Sequence, residues 1–265
     1  MCSFTGCENN YICYDENDTQ LMNVIDEKFR KEALALGAVE YHIPAMIDQG
    51  VLSKCGYFSA FPQHLTIAAH AKRNAYQQIA EDNHICDDTA TVSKNYFTPA
   101  ACLHIYPMLE NKDLGQKVIT TKARVYRYED EQFNGSTRFW DFTVREIVFV
   151  GNSDYVLECL ENMKLKTLDY IKEIGLPGEI HSASDNFYPS KRNSVKKKLQ
   201  LSNSLKYELS IKINEINVAI SSFNFHDTHF SKPFHFDKTG SIVTGCIGYG
   251  LERWVAALNY YKIQI

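Results

Sequence analysis

The chain has 265 residues, 45% hydrophobic and 23% charged, ordinary proportions for a globular protein able to bury one substantial core. Its formal charge of -4 provides no global basic field for nucleic acid, and no apolar run reaches the ~18 residues of a membrane span. Met1-Cys2-Ser3-Phe4 lacks a basic region followed by an apolar stretch, so a cytoplasmic protein without a secretory signal is expected.

Residues 18–37 carry apolar side chains at Leu21, Val24, Ile25, Phe29, Leu34 and Leu36, roughly at helical spacing, and Gly37 supplies a left-handed stop. A short extended piece from Val39 to Ile43 runs into Pro44, and a second short helix is expected after it. From Thr120 to Val150 the period changes to alternation, with Asn134-Gly135 between the halves, the signature of a hairpin. Residues 153–174 return to helical spacing through Val156, Leu160, Met163, Leu168 and Ile171, closed by Gly175 and Pro177. Strand patterns recur at 206–213 and 216–223. A last extended run, Ser241 to Gly245, leads into a helix near Leu251–Tyr261. No repeat and no Pro/Gly/Ser linker interrupts this order, so one domain over residues 1–265 is expected. Consecutive hairpin strands between helices predict an α+β fold, an antiparallel sheet flanked by helices.

Eight cysteines are scattered with no CxxC pair. Without an export signal a disulfide framework is not expected, and the default for each is a small buried hydrophobe. A metal site would have to gather ligands from distant parts of the chain.

Two segments carry charge where charge is awkward. On the hairpin, Arg127 and Glu129 share one face by the strand period, and Glu146 shares a parity with Trp140, Phe142, Val144 and Val148. A carboxylate in an apolar row needs a partner. Either Arg145 or Arg127 answers Glu146 in a structural pair, or the arginines form an anion site and Glu146 holds something cationic. In Cys246-Ile-Gly248-Tyr-Gly250-Leu-Glu252-Arg253-Trp254, the glycines allow close backbone approach to a ligand. Arg253 falls in the first turn of the following helix, where an arginine suits a phosphate. The segment lacks the GK[ST] ending of a P-loop.

Arg127-Tyr-Glu129 followed after a loop by Phe142-Thr-Val-Arg145-Glu146 resembles motif 2 of the class II aminoacyl-tRNA synthetases, and Gly248-Tyr-Gly250-Leu-Glu252-Arg253 resembles their motif 3. Pro44 sits where their dimer-forming motif 1 has its proline. More narrowly, the chain resembles the amino acid:[carrier protein] ligases, short homologues of the atypical archaeal seryl-tRNA synthetases. The matching segments are Tyr57-Phe-Ser-Ala-Phe61-Pro62, Ala101-Cys102-Leu-His104-Ile-Tyr106, Ala183-Ser-Asp185-Asn-Phe187, Lys206-Tyr207-Glu208 and Ser222-Phe223-Asn224-Phe225-His226-Asp-Thr-His229-Phe230. The similarity extends from about residue 40 to 260.

The resemblance implies a class II catalytic core that activates a small amino acid, glycine or alanine, with ATP and transfers it to a carrier-protein phosphopantetheine thiol. It implies Cys102, Glu146 and Cys246 as zinc ligands, a set whose two thiolates and one carboxylate suit that ion and leave a fourth position open. In the family that position takes the amino acid's α-amino group. Arg127 is implied at the α-phosphate, Glu129 at the adenine, Arg253 at the γ-phosphate, Arg138 near the outer phosphates and Glu208 as a magnesium ligand. Lys206 and Asn224 fall in the amino-acid pocket. A homodimer is implied by the Pro44 region and the helix before it. Retained Arg127, Glu129, Arg253 and the three ligands favour catalysis over a non-catalytic paralogue that senses an amino acid or binds a partner. Transfer to another small acceptor is the other alternative.

Between Asn186 and Leu205 there is no acidic residue, while Lys191, Arg192, Lys196, Lys197 and Lys198 crowd together. This stretch is either a solvated basic helix or a docking patch for an acidic carrier protein. The overall acidity, and a length filled by the catalytic core, lead to the expectation that tRNA is not a partner.

Overall fold

In the computed structural model, which describes residues 13–112, 114–128 and 137–265, the first helix spans Glu16–Ala35 (α1). The Asp15 side chain accepts from Asp18 N at its start, and Gly37 adopts a φ of +79° after its end. Strands Val39–Glu40 (β1) and Met46–Asp48 (β2) flank Pro44, and the expected short helix follows as Gln49–Lys54 (α2). Next come Tyr57–Ala60 (α3), Ile67–Ala71 (β3), Tyr76–Asp82 (α4) and Ala90–Phe97 (β4). A 3-10 turn at Ala101–His104 continues into Ile105–Leu109 (α5).

The alternating stretch forms Lys117–Tyr126 (β5) and Asp141–Gly151 (β6), in register from Lys117↔Val150 to Tyr126↔Asp141. The Asn134-Gly135 turn lies outside the described residues, as does Glu129. Helix Ser153–Glu173 (α6) is capped by Asn152 and followed by Gly175 at φ +71°. After Glu179–Ser182 (β7), the basic stretch folds as helix Lys191–Ser202 (α7), capped by Ser190. Lys206–Ile213 (β8), Ile216–Asp227 (β9), Val243–Gly250 (β10) and Leu251–Tyr261 (α8) complete the order. The last extended run is longer than its sequence pattern indicates, because Gly245, Gly248 and Gly250 all lie within β10 instead of forming a turn.

The main sheet has the order β1-β5-β6-β10-β9-β8-β7. Its β5 to β7 pairings are antiparallel, and β1 adds a parallel edge beside β5. The expected α+β architecture therefore holds, with one parallel strand that two residues of sequence pattern could not signal. A second sheet, β2-β4-β3, stands apart.

Strand alternation divides the core. Ile147, Phe149, Ile247, Tyr249 and Phe223 face α1, α6 and α8, where Phe29 stacks on Tyr249 with ring centroids 3.6 Å apart and meets the edge of Trp254. Val144, Val148 and Cys246 face the other way, beneath the Ala101–His104 turn, α5 and the Phe230, Phe234 and Phe236 cluster. Among the described residues no helix is long and apolar enough to cross a membrane.

Arg145 shows what this division does to the pairing expected from sequence. It lies on the helix-facing side, opposite to Glu146, and is buried. Its Nε and Nη2 donate to the two carboxylate oxygens of Asp26 at 2.7 and 3.1 Å, and Nη1 donates to Glu40 at 2.7 Å. Arg145 thus does not answer Glu146. Consecutive strand residues point to opposite faces, and its partners come from α1 and β1.

Candidate active site

Two adjacent rows cross the face of the sheet opposite α1, α6 and α8. One row runs Cys246, Asn224, Lys206 across β10, β9 and β8. The other runs Glu146, Gly248, Ser222, Glu208 from β6 to β8. Residues directly opposite in a ladder present side chains to the same side, so residues from four strands meet there. Gly248 keeps the rows open: a Cβ at that position would stand 3.3 Å from Glu146 Oε2 and 3.4 Å from Ser222 Oγ.

Cys102 reaches this face from the Ala101–His104 turn. One ligand atom each of Cys102, Glu146 and Cys246 lies within 4.8 Å of the others, and all three residues are buried. Burial pushes the Glu146 carboxyl up to about 7, partly opposed by its thiol contacts and by Arg127. The hydrogen bond with Cys102, burial and the Glu146 charge raise the Cys246 thiol. Burial thus works against charge on both Glu146 and Cys246 when the cluster stands alone. A divalent cation reverses that balance by stabilising all three anions together. The donor set, two sulfurs and one carboxylate, fits a zinc-type ion.

Further contacts hold Cys246. Asn224 Nδ2 donates to its sulfur at 3.6 Å and to Ser222 Oγ at 3.2 Å. His226 Nε2 lies 3.5 Å from the same sulfur, while Nδ1 faces Thr244 Oγ1 at 3.1 Å and the Tyr106 hydroxyl at 3.4 Å. Burial of the ring, with His229 nearby, lowers the His226 pKa to about 3, so a neutral imidazole stands beside the sulfur. Sequence reasoning did not assign His226, although it shares the strand parity of Ser222 and Asn224 on β9.

The two arginines stand toward the end of the face where β6 begins and β10 ends. Arg127 follows β5. Its Nε donates to Pro99 O at 2.9 Å, and its guanidinium lies 5.4 Å from the Phe142 ring. Phe142 and Glu146 share this face and are about 13 Å apart along β6 at ordinary strand rise. Arg253, in the first turn of α8, donates through Nε to Thr137 O at 2.7 Å and through Nη1 to Ala219 O at 2.9 Å. Backbone carbonyls therefore orient both guanidinium groups before any ligand arrives. Arg138 is half-buried just before β6. Glu252 is buried in a structural role, with both carboxylate oxygens accepting from Thr143 N at 2.8 Å.

On β8, Lys206 Nζ lies 2.6 Å from Asp185 Oδ1 and 2.9 Å from Glu208 Oε1. Burial works against the Lys206 charge, but the two carboxylates outweigh it and raise its pKa. Glu208 thus already has a cationic partner. Asp185 arrives from the β7–α7 connection; its segment Ala183–Phe187 is among those that carry the resemblance, which assigns Asp185 no role.

No protein-family model matches the chain. It is 26% identical over 249 residues to a type-2 serine–tRNA ligase of Methanococcus maripaludis, covering 83% of this chain and 47% of that protein. The corresponding Methanocaldococcus jannaschii protein is 25% identical over 263 residues, covering 89% and 50%. An amino acid–[acyl-carrier-protein] ligase 2 of Bradyrhizobium diazoefficiens is 25% identical over 227 residues, covering 81% of this chain and 67% of that protein. The chain spans about half the length of the serine–tRNA ligases it matches. Among solved structures, M. kandleri SerRS, in a complex with A. aeolicus tRNASec, superimposes with a TM-score of 0.84. The match covers 97% of this chain and 55% of that one at 19% identity. The fold is that of a class II aminoacyl-tRNA synthetase catalytic domain.

These neighbours overturn the expectation that tRNA plays no part. Several relatives are tRNA ligases, and the solved neighbour is a SerRS in a complex with a tRNA. Net charge was the wrong guide, because it averages over local patches such as α7. Length was no better, because a match to half of a relative leaves the other half uncompared.

Proposed function

We propose that this class II synthetase-like chain is an ATP-dependent, AMP-forming ligase that activates an amino acid and passes it to a carrier-protein thiol. The observation that carries the reading is the buried Cys102, Glu146 and Cys246 cluster on a sheet face that also presents the paired Lys206, with Arg127 and Arg253 each pre-oriented by backbone carbonyls. The Bradyrhizobium diazoefficiens relative supports the carrier acceptor.

Activation joins two anions: a carboxylate oxygen of the amino acid attacks the α-phosphorus of ATP, forming the mixed anhydride and releasing pyrophosphate. Positioning and charge neutralisation carry most of such a step. Arg127 would hold the α-phosphate and Arg253 the γ-phosphate, with Arg138 near the outer phosphates, Glu129 at the adenine, and Glu208 as a candidate ligand for the accompanying magnesium. Lys206 and Asn224 would line the amino-acid pocket. Cys102, Glu146 and Cys246 would hold zinc, whose open position offers a Lewis-acid contact to a free amine. In the second step the phosphopantetheine thiol loses its proton and attacks the carbonyl carbon, the thioester forms, and AMP leaves.

Pyrophosphate exchange into ATP tests the first step. Glycine and alanine follow from the resemblance, and serine belongs beside them because of the serine–tRNA ligases. Arg253→Ala is expected to slow exchange by about 10²–10³-fold, the range for losing one charge-stabilising donor. Exchange with no amino acid would refute activation.

A second acceptor reading, transfer to tRNA, is favoured by the serine–tRNA ligase relatives. Loading assays with a phosphopantetheinylated carrier and with tRNA side by side separate the two. On the carrier reading, α7 is the docking element: Lys197 and Lys198 are exposed, and Lys196 is half-buried with Nζ 5.9 Å from the Phe187 ring. Reversing Lys196, Lys197 and Lys198 to Glu is expected to leave exchange near wild type and slow carrier loading, most clearly at low salt. Equal loading rates would make α7 ordinary surface.

The dimer proposal rests on the second sheet as well as the Pro44 region. Ile67 and Val92 are 38% and 64% exposed and share one of its faces, since Ile67 pairs with Tyr96 and Ala69 with Val92, an apolar surface that a second copy would cover. Light scattering is expected to give twice the chain mass of 30.4 kDa; a monomer mass at micromolar concentration refutes it.

A further inference from the structure

Helix α7 has an inner face that the docking proposal does not use. Near its start, the buried Asn193 amide donates to Ser59 O at 2.9 Å and Tyr188 O at 2.8 Å, fastening the helix to α3 and its own entry. Two turns later, Gln200 Nε2 donates to Asp185 Oδ2 at 2.7 Å, while its Oε1 accepts from the Asp185 backbone N at 2.8 Å. The other Asp185 oxygen accepts from Lys206 Nζ at 2.6 Å. Lys206 in turn shares a ladder row with Asn224 and Cys246.

This two-point grip fixes both the backbone and the rotamer of Asp185. Packing alone would not fix it, because the Asp185 side chain is 31% exposed. The lysine is long and flexible and depends on its carboxylate partners for a defined position. We propose that Gln200 is a positioning residue for amino-acid binding: by fixing Asp185, it holds the Lys206 ammonium at a set point in the pocket. The inference rests on the activation reading above. It differs from the docking proposal by giving the inner face of α7 a role in the first step of the reaction.

A residue that positions a binding contact acts on ground state and transition state alike, so its loss raises KM and leaves kcat in place. Gln200→Met keeps the volume and removes both hydrogen bonds. In pyrophosphate exchange it is expected to raise the amino-acid KM about tenfold, the effect of roughly one charge-assisted contact, with kcat within about twofold. Asp185→Asn is expected to raise KM similarly. Because both act through the same carboxylate, the double variant is expected to be no worse than the worse single variant. Gln200→Ala provides a second variant should the methionine pack poorly.

Wild-type exchange with unchanged KM in both Gln200 variants overturns this inference alone. Multiplicative KM effects in the double variant also overturn it, since Gln200 would then act by another route. A fall in kcat with KM unchanged does so too, as a general structural role predicts. Absence of exchange in the wild type overturns the activation reading, and this inference with it.

Discussion

Replacing Cys246 by serine is expected to strip zinc from the purified protein and to lower amino-acid-dependent pyrophosphate exchange by at least about 100-fold. Loss of a residue that merely supports a metal ligand costs about 10–100-fold, and Cys246 is proposed as a ligand itself. The substitution is nearly isosteric, but an alcohol does not ionise as a thiol does and is a poor ligand for a zinc-type ion. The fold is expected to survive, because the neighbouring β10 residues Ile247 and Tyr249 point into the opposite core with Phe29 and Trp254. Metal analysis and circular dichroism on the same preparation give the answer. Full zinc occupancy in the folded variant would refute the assignment of Cys246.

Arg145→Met is expected to destabilise the protein by about 3 kcal/mol, the low end for breaking a buried ion pair, because it removes the guanidinium and leaves the Asp26 carboxylate only partly compensated. The Asp26 carboxylate would keep Lys122, at 3.3 Å, but lose the two-pronged guanidinium contact. For a chain of this size that loss lowers the melting temperature by about 10 °C. Adding Asp26→Asn is expected to recover part of the loss by removing the stranded charge. A change below about 1 kcal/mol would mean that Arg145 contributes little to stability.

The contact of Arg145 with Glu40 carries a pH signature. Burial alone would raise the Glu40 carboxyl, but Arg145 and Arg30 outweigh it and hold it below its ordinary 4.5. A depressed pKa adds stability that is present above the unfolded value and is lost as pH falls through the folded value. The stability gap between wild type and Arg145→Met is therefore expected to narrow below pH about 4.5. A gap unchanged between pH 7 and pH 3 would sever Glu40 from the effect.

Local chemistry was legible in the chain. The apolar period and the stops at Gly37 and Gly175 mark α1 and α6, because a helix is specified within its own turns. Alternation marks β5, β6, β8 and β9 and singles out Glu146 as a carboxylate in an apolar row. The motifs around Arg127, Glu146, Gly248 and Arg253 resemble those of a class II core, and that resemblance, rather than any spacing in the chain, implies Cys102 and Cys246 as partners of Glu146. The folded chain decided what depends on register and layering. Which partner Arg145 takes is set by the face it occupies on β6 and by Asp26, 119 residues earlier. Asp185 meets Lys206, and His226 meets Cys246, only after β10 inserts between β6 and β9 and the β7–α7 connection folds over β8. Such contacts follow from strand order and crossing geometry, and residue spacing along the chain carries no record of either.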